Sequence, residues 1–383
     1  MLKKKWLVCA PIDISIPNAC VLHLRGVVCA LLEKGYDVIL VLPQPLEHQE
    51  QFLSHQNLSI FFYKNLFSVH FLGVFPMIRL LQKTKILQKV ERVYSRMHLL
   101  SFLLLGWVRL FYPQVLCLSE HNGLLGDELY QLLPRGWRRF SFLGRWTQIW
   151  DGRLAHYARV VTPLIKEALQ KKGLSSTLVM PNGTDTELFK PYERQNVLKE
   201  YGLPQEHFYV GFIGAVTKWQ ALDDLFQAIA KIHDPLHLIL AGEGPYLPLL
   251  KERIRASSVS HRVHFLGSIP IEKAAHVISC FDIAVAPMLR ELYEKSGASK
   301  IKIRDYTACG RCVIAGNTED HMALEKQSVL LTYAMDNVDD LAKKITELYK
   351  NPEKRTLLSH NARRYAENYF SWTTIFKPLW KVL

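Results

Sequence analysis

Residues 296–316 read SGASKIKIRDYTACGRCVIAG. Gly297 and Ser299 make a loop, and Ile301, Ile303 and Tyr306 are the apolar members of a helix that Gly310 ends. Cys312-Val313-Ile314-Ala315 then runs apolar into Gly316, the pattern of a buried strand. A Ser/Gly loop feeding a helix presents free backbone N–H groups and the positive end of the helix dipole. Lys300, Lys302 and Arg304 add full charges there, and the Asp305 carboxylate can accept hydrogen bonds from a ribose diol. These are the parts of a nucleotide-diphosphate site.

Outward from this stretch the same alternation of strand and helix repeats. Trp6–Ala10 is a short buried strand, Val21–Lys34 a helix ended by Gly35, and Tyr36–Leu42 the next strand. Strand, helix and strand in about forty residues form a βαβ unit and hence a parallel sheet. Gln114–Leu118, 158–163 and 177–180 continue the pattern, and 209–225, 236–245, 263–269 and 281–287 repeat it in the second half. The fold class expected is α/β, with two Rossmann-like domains. Ligands of such sheets sit beyond the carboxyl ends of the strands, so the loop with Asp13, Ser15 and Asn18 and the stretch Ser119-Glu120-His121-Asn122-Gly123 are candidate site segments. For Glu120 and His121 a capping and turn cluster is the alternative reading.

With 383 residues, about half of them apolar, the chain suits two domains, each with its own core. The net charge of +13 fits nucleic acid, an anionic membrane or anionic substrates, and charge alone does not choose among them. Seven scattered cysteines indicate a reducing compartment. Cys309 and Cys312 form one C-x-x-C, a redox or metal pattern, but no second pair stands at a zinc spacing. Behind Lys3-Lys4-Lys5 the apolar run is too short for a signal peptide. Leu99–Leu118 is interrupted by Arg109 and Pro113, which favours a helix and a strand over a membrane span. Arg79 to Arg96 carries six basic residues and one acid, with an apolar side, and reads as an amphipathic cationic helix. Arg135 to Trp146 interleaves arginines with aromatics, which suits either an anionic membrane interface or a solvated face over core aromatics. No basic nucleic-acid motif accompanies the charge, so no nucleic acid partner is expected.

Ser299-x-x-Lys302-x-x-Asp305-Tyr306-x-Ala308-x-Gly310-Arg311 resembles the S-P-x-K-x-x-E-Y-x-A-x-G-R/K-P segment of glycosyltransferase family 4 enzymes with the GT-B fold. Lys300, Asp305 and Cys312 replace Pro, Glu and Pro of that pattern. Pro181-Asn182-Gly183-Thr184-Asp185, reaching Phe189 and Pro191, is similar to the family's interdomain segment P-N-G-V-D-x-x-x-F-x-P. The resemblance implies an acceptor-side domain over 1–190, a nucleotide-sugar domain over 191–365 and a closing segment, 366–383, that crosses back, with both sheets facing a central cleft. It implies a retaining, metal-independent transferase with no cofactor, moving a sugar from a nucleotide-sugar, UDP- or GDP-linked, to a glycan or lipid-linked acceptor. The setting it implies is cell-surface polysaccharide or glycolipid synthesis, in the cytoplasm and peripheral at the inner face of the membrane. Donor contacts are implied for Gly214, Lys218, Ser268, Ile269, Ser299, Lys302 and Asp305. Lys218 would take over charge where Ala215 and Gln220 replace the family's Arg and Lys. Glu120 and His121, in a segment similar to the family's E-x-N-G, are the implied catalytic pair. A non-catalytic partner protein and a nucleotide-sugar epimerase are the alternatives.

Overall fold

The structure, a computed structural model, describes residues 4–15, 18–46, 52–64, 73–296 and 300–383. Seven parallel strands form the first sheet: β1 Lys5–Cys9, β2 Asp37–Pro43, β3 Leu58–Tyr63, β4 Arg92–Arg96, β5 Leu116–His121, β6 Tyr157–Val160 and β7 Thr177–Val179. Their spatial order is β3-β2-β1-β4-β5-β6-β7. The second sheet has β8 Phe208–Ile213, β9 Leu236–Ala241, β10 Val263–Gly267, β11 Ile283–Ala286, β12 Cys312–Gly316 and β13 Leu331–Tyr333, in the order β10-β9-β8-β11-β12-β13. The strand order reverses at β1/β4 in one sheet and at β8/β11 in the other. Helices cover both faces, so the strands are apolar on both sides: Trp6 and Val8 enter one core layer, Leu7 and Cys9 the other.

Two expected elements differ. Residues 79–96 are not one helix: helix Val74–Thr84 ends where Lys85 takes the left-handed conformation at φ 52°, a 3-10 turn spans Ile86–Lys89, and Arg92–Arg96 is β4. The apolar set that suggested a helix comes from three successive elements that all meet the same core layer. β4 pairs with β1 and β5 in the middle of the sheet, and Arg92 stacks over the Trp6 and Tyr36 rings. In the second case, Ser119, Glu120 and His121 belong to β5 itself.

After β7 the chain crosses to the second sheet, and after helix Pro352–Tyr365 and a π-helical turn, Ala366–Phe370, it returns. The two crossings touch: the Thr184 amide donates to the Phe370 carbonyl at 2.8 Å, and Thr184 bridges to Ser371. Helices Trp372–Ile375 and Lys377–Trp380 bring Trp372, Ile375, Phe376 and Leu379 into the first domain's core beside Val28 and Tyr94. Gly26 permits this, because a Cβ there would stand 1.9 Å from the Trp372 indole nitrogen. Trp372→Ala removes the largest of these side chains and is expected to cost about 3–5 kcal/mol, read as a lower first-domain midpoint in urea. An unchanged midpoint would contradict this account of the crossing.

Candidate functional site

The carboxyl ends of both sheets face one cleft of about 710 Å³. Its floor is the loops after β8, β9 and β10. The Gly214 amide donates to Ala241 at 3.0 Å, Gly242 to Gly267 at 2.6 Å and Val216 to Glu243 at 2.9 Å, so the three loops continue the sheet beyond its strands. Gly242 has φ 128°, and a Cβ on it would stand 2.0 Å from the Gly214 carbonyl oxygen. Only glycine allows that approach.

Helix Ile301–Ala308 opens onto this floor with Lys300 as its N-cap, without a side-chain cap. Lys302 Nζ lies 3.8 Å from the centre of the Phe212 ring and donates to Gln220 Oε1 at 2.9 Å. Lys300 Nζ donates to the Pro287 carbonyl at 2.7 Å. Neither ammonium pairs with a carboxylate among the described residues. Burial brings the Lys300 pKa down to about 7. Burial, reinforced by the Lys300 charge and opposed by Asp305, holds Lys302 well below the usual lysine range. Asp305 lines the cleft while its Oδ1 accepts from Thr184 Oγ1 at 2.7 Å, and burial pushes its carboxyl up to about 7 against that bond. Ile269, Ile271, Ala274 and Ile278 add an apolar wall. A diphosphate fits the cationic end and a flat ring the apolar one.

Of the expected donor residues, the structure brings Gly214, Ser268, Ile269, Lys302 and Asp305 together in the cleft. Ser299 and Gly297 lie outside the described residues, as do Ile16 and Pro17 of the first loop. Lys218 starts the 3-10 turn Lys218–Gln220 with its side chain exposed outside the cleft lining, and Gln220 is the member of that turn that faces Lys302.

Strand alternation separates Glu120 and His121 and keeps both out of the cleft lining. His121 is fully buried on the far face of β5, its Nε2 2.7 Å from Ser119 Oγ and 3.7 Å from Asp151. Glu120 is buried at the centre of a polar network: it accepts from Tyr94 at 2.5 Å, from Arg96 at 3.3 Å and from Asn122, and stands 2.8 Å from His23 and 3.4 Å from Arg159. Burial alone would raise its pKa, but His23, Arg96 and Arg159 hold it well below the usual carboxylate range. Burial brings His23 down to about 4. Glu120 is thus a positioning residue behind His23, Arg96 and Asn122, which do line the cleft. Arg96 was hidden by the helical reading of 79–96, although an arginine at the carboxyl end of a central strand is the signal that finds it. Cys309 and Cys312 are both buried free thiols with pKa values raised by burial, which leaves them inert.

Residues 207–351 match the family of glycosyl transferases group 1. The D-inositol 3-phosphate glycosyltransferase of Geodermatophilus obscurus is 28% identical over 210 residues, 51% of this chain and 44% of that protein. The chain covers less than half the length of the curated relatives it matches, 43% to 47% for the first four. Sucrose-phosphate synthase from Thermosynechococcus elongatus has a TM-score of 0.79 at 17% identity, over 99% of this chain and 98% of that one. Anabaena HepE in complex with UDP-glucose has a TM-score of 0.71 at 17% identity, again over 99% and 98%. These likenesses establish a shared architecture over nearly the whole chain. The chain therefore has the two-domain GT-B fold, and within it residues 207–351 match the glycosyl transferases group 1 family.

Proposed function

We propose that the protein is a retaining, metal-independent glycosyltransferase that moves a sugar from a UDP- or GDP-sugar to a glycan or lipid-linked acceptor, in cell-surface polysaccharide or glycolipid synthesis. The observation that carries this reading is the Lys300–Lys302 pair over the glycine floor, two cations without a carboxylate partner at a helix start. As the bond from the sugar to the diphosphate breaks, negative charge grows on the leaving phosphate, and preorganised cations stabilise it there. The two lysines and the helix dipole supply the charge a divalent ion would otherwise provide. Asp305 is placed to hold a ribose hydroxyl, and HepE, which carries UDP-glucose, supports uracil as the base. The opposite wall presents His23, which burial keeps neutral, with the ion-paired Glu120 behind it. The retaining course is the one that the resemblance of residues 299–311 implies.

The membrane side of the reading rests on an exposed surface of the first domain. Trp137, Phe142 and Trp146 stand out from the 3-10 turn Arg135–Ser141 and helix Phe142–Leu154, while Arg138 stacks on Tyr130 and Arg139 on Phe140. Gln148 of that helix bonds Gly123 and Leu125 beside the cleft wall, so a surface resting on lipid would also position the acceptor side. No helix among the described residues is long and apolar enough to cross a membrane. We infer a cytoplasmic protein peripheral at the inner face.

Lys302→Ala is expected to lower sugar transfer by about 10²-fold or more, while Arg79→Ala, exposed on helix Val74–Thr84, leaves it unchanged. Equal losses, or an epimerised nucleotide-sugar formed without acceptor, would overturn the assignment. A bound diphosphate raises the depressed lysine pKa values, so binding takes up protons. Affinity is then full below the free-state value of about 7 for Lys300 and falls as pH rises. The Kd for UDP, or for GDP if the donor base is guanine, should therefore rise about tenfold from roughly pH 7.5 to 8.5 by calorimetry, and a flat profile would contradict the account. Co-sedimentation should show binding to vesicles rich in phosphatidylserine, reduced in Trp137→Ala/Trp146→Ala, since each ring and cation contributes at headgroup depth. Equal binding by the double variant would refute the membrane surface.

A further inference from the structure

His207 lies just before β8, His237 is the second residue of β9 and His264 the second of β10. The sheet register puts all three on one face at the entry ends of neighbouring strands. One ring nitrogen from each lies within 4.8 Å of the other two. The His207 and His237 rings stack at 3.7 Å, and His237 Nδ1 is 2.9 Å from His264 Nε2. His207 Nδ1 is buried without a hydrogen-bond partner among the described residues. We propose that His207, His237 and His264 form a binding site for a borderline transition-metal cation of the Zn2+ class, which ties the entry ends of β8, β9 and β10 together.

The chemistry favours that class. Imidazoles are neutral at pH 7.5 from their ordinary pKa of about 6.5, so their lone pairs are available without removing a proton. Nitrogen ligands suit Zn2+, Ni2+ and Cu2+ and disfavour Mg2+ and Ca2+. Two nitrogens on one tetrahedral Zn2+ stand about 3.4 Å apart, and the His207 ring must turn out of its stack on His237 for the in-plane lone pairs to converge. β8 runs six residues from this end to the cleft, about 20 Å, so the metal would touch neither donor nor acceptor. Its effect falls on the edge strand β10, which leads into Ser268 and Ile269.

The test uses chelator-treated full-length protein without a histidine tag. ZnCl2, at roughly a hundred times its half-saturating concentration, should raise the melting temperature by about 5 °C, and MgCl2 should not. His264→Gln should lose that shift. His207→Gln, in the loop ahead of β8, should lose it too and keeps the test valid if the strand variant does not fold. A Zn2+ shift retained in a folded variant, or absent from the wild type, would overturn the proposal.

Discussion

Two ammonium groups held two residues apart in a cleft, with no carboxylate between them, are the constraint on which the rest of the site depends. Burial strips hydration from each, and the Lys300 charge adds to the effect on Lys302, which is why both are easily deprotonated. The arrangement persists because the backbone around it is closely determined. Gly242 abuts the Gly214 carbonyl, the Phe212 ring packs against the Lys302 ammonium and Gln220 Oε1 accepts a hydrogen bond from it. On the proposed function, a dianionic ligand would restore both charges, and the cost carried by the free protein would become affinity for a diphosphate.

The opposite wall is built on a second charge arrangement, joined to the first through the interdomain crossings. Arg159 is fully buried and meets Glu120, the Met180 carbonyl at 3.1 Å and the Pro181 carbonyl at 3.0 Å, while its guanidinium lies over the Trp372 and Phe376 rings. One side chain therefore touches the network behind Arg96, the start of the outgoing crossing and the end of the returning one. Three residues after Pro181, Thr184 bonds Asp305 in the donor helix. Any change of angle between the domains would alter this chain of contacts.

Much of this was legible in the residues. The βαβ pattern with its terminating Gly35 and the helix at 301–308 rest on local rules that packing did not override, whereas Pro181-Asn182-Gly183 runs as an irregular crossing without forming a turn. Ser268 and Ile269 were placed by the family resemblance, and the structure puts both in the cleft lining. The misreadings share one cause, which is that neighbouring elements in sequence can feed one core layer and mimic a single period. Residues 79–96 alternate well enough for a helix, yet Lys85 turns the chain and β4 enters the sheet centre, carrying Arg96 to the cleft. Ending β5 at Leu118 put Glu120 and His121 in a loop where both could point inward. Within the strand they must point to opposite faces. Lys218 and Gln220 are two residues apart on a tight turn, and sequence spacing cannot say which of them faces Lys302.

The central claim is that Lys300 and Lys302 hold a nucleotide diphosphate. The most direct measurement is a thermal-shift panel of UDP, GDP and ADP, with their sugars, on the wild type and Lys302→Ala. The account predicts that one base stabilises the wild type and that the shift disappears in the variant. Stabilisation of both proteins alike, or of neither by any nucleotide, would contradict it.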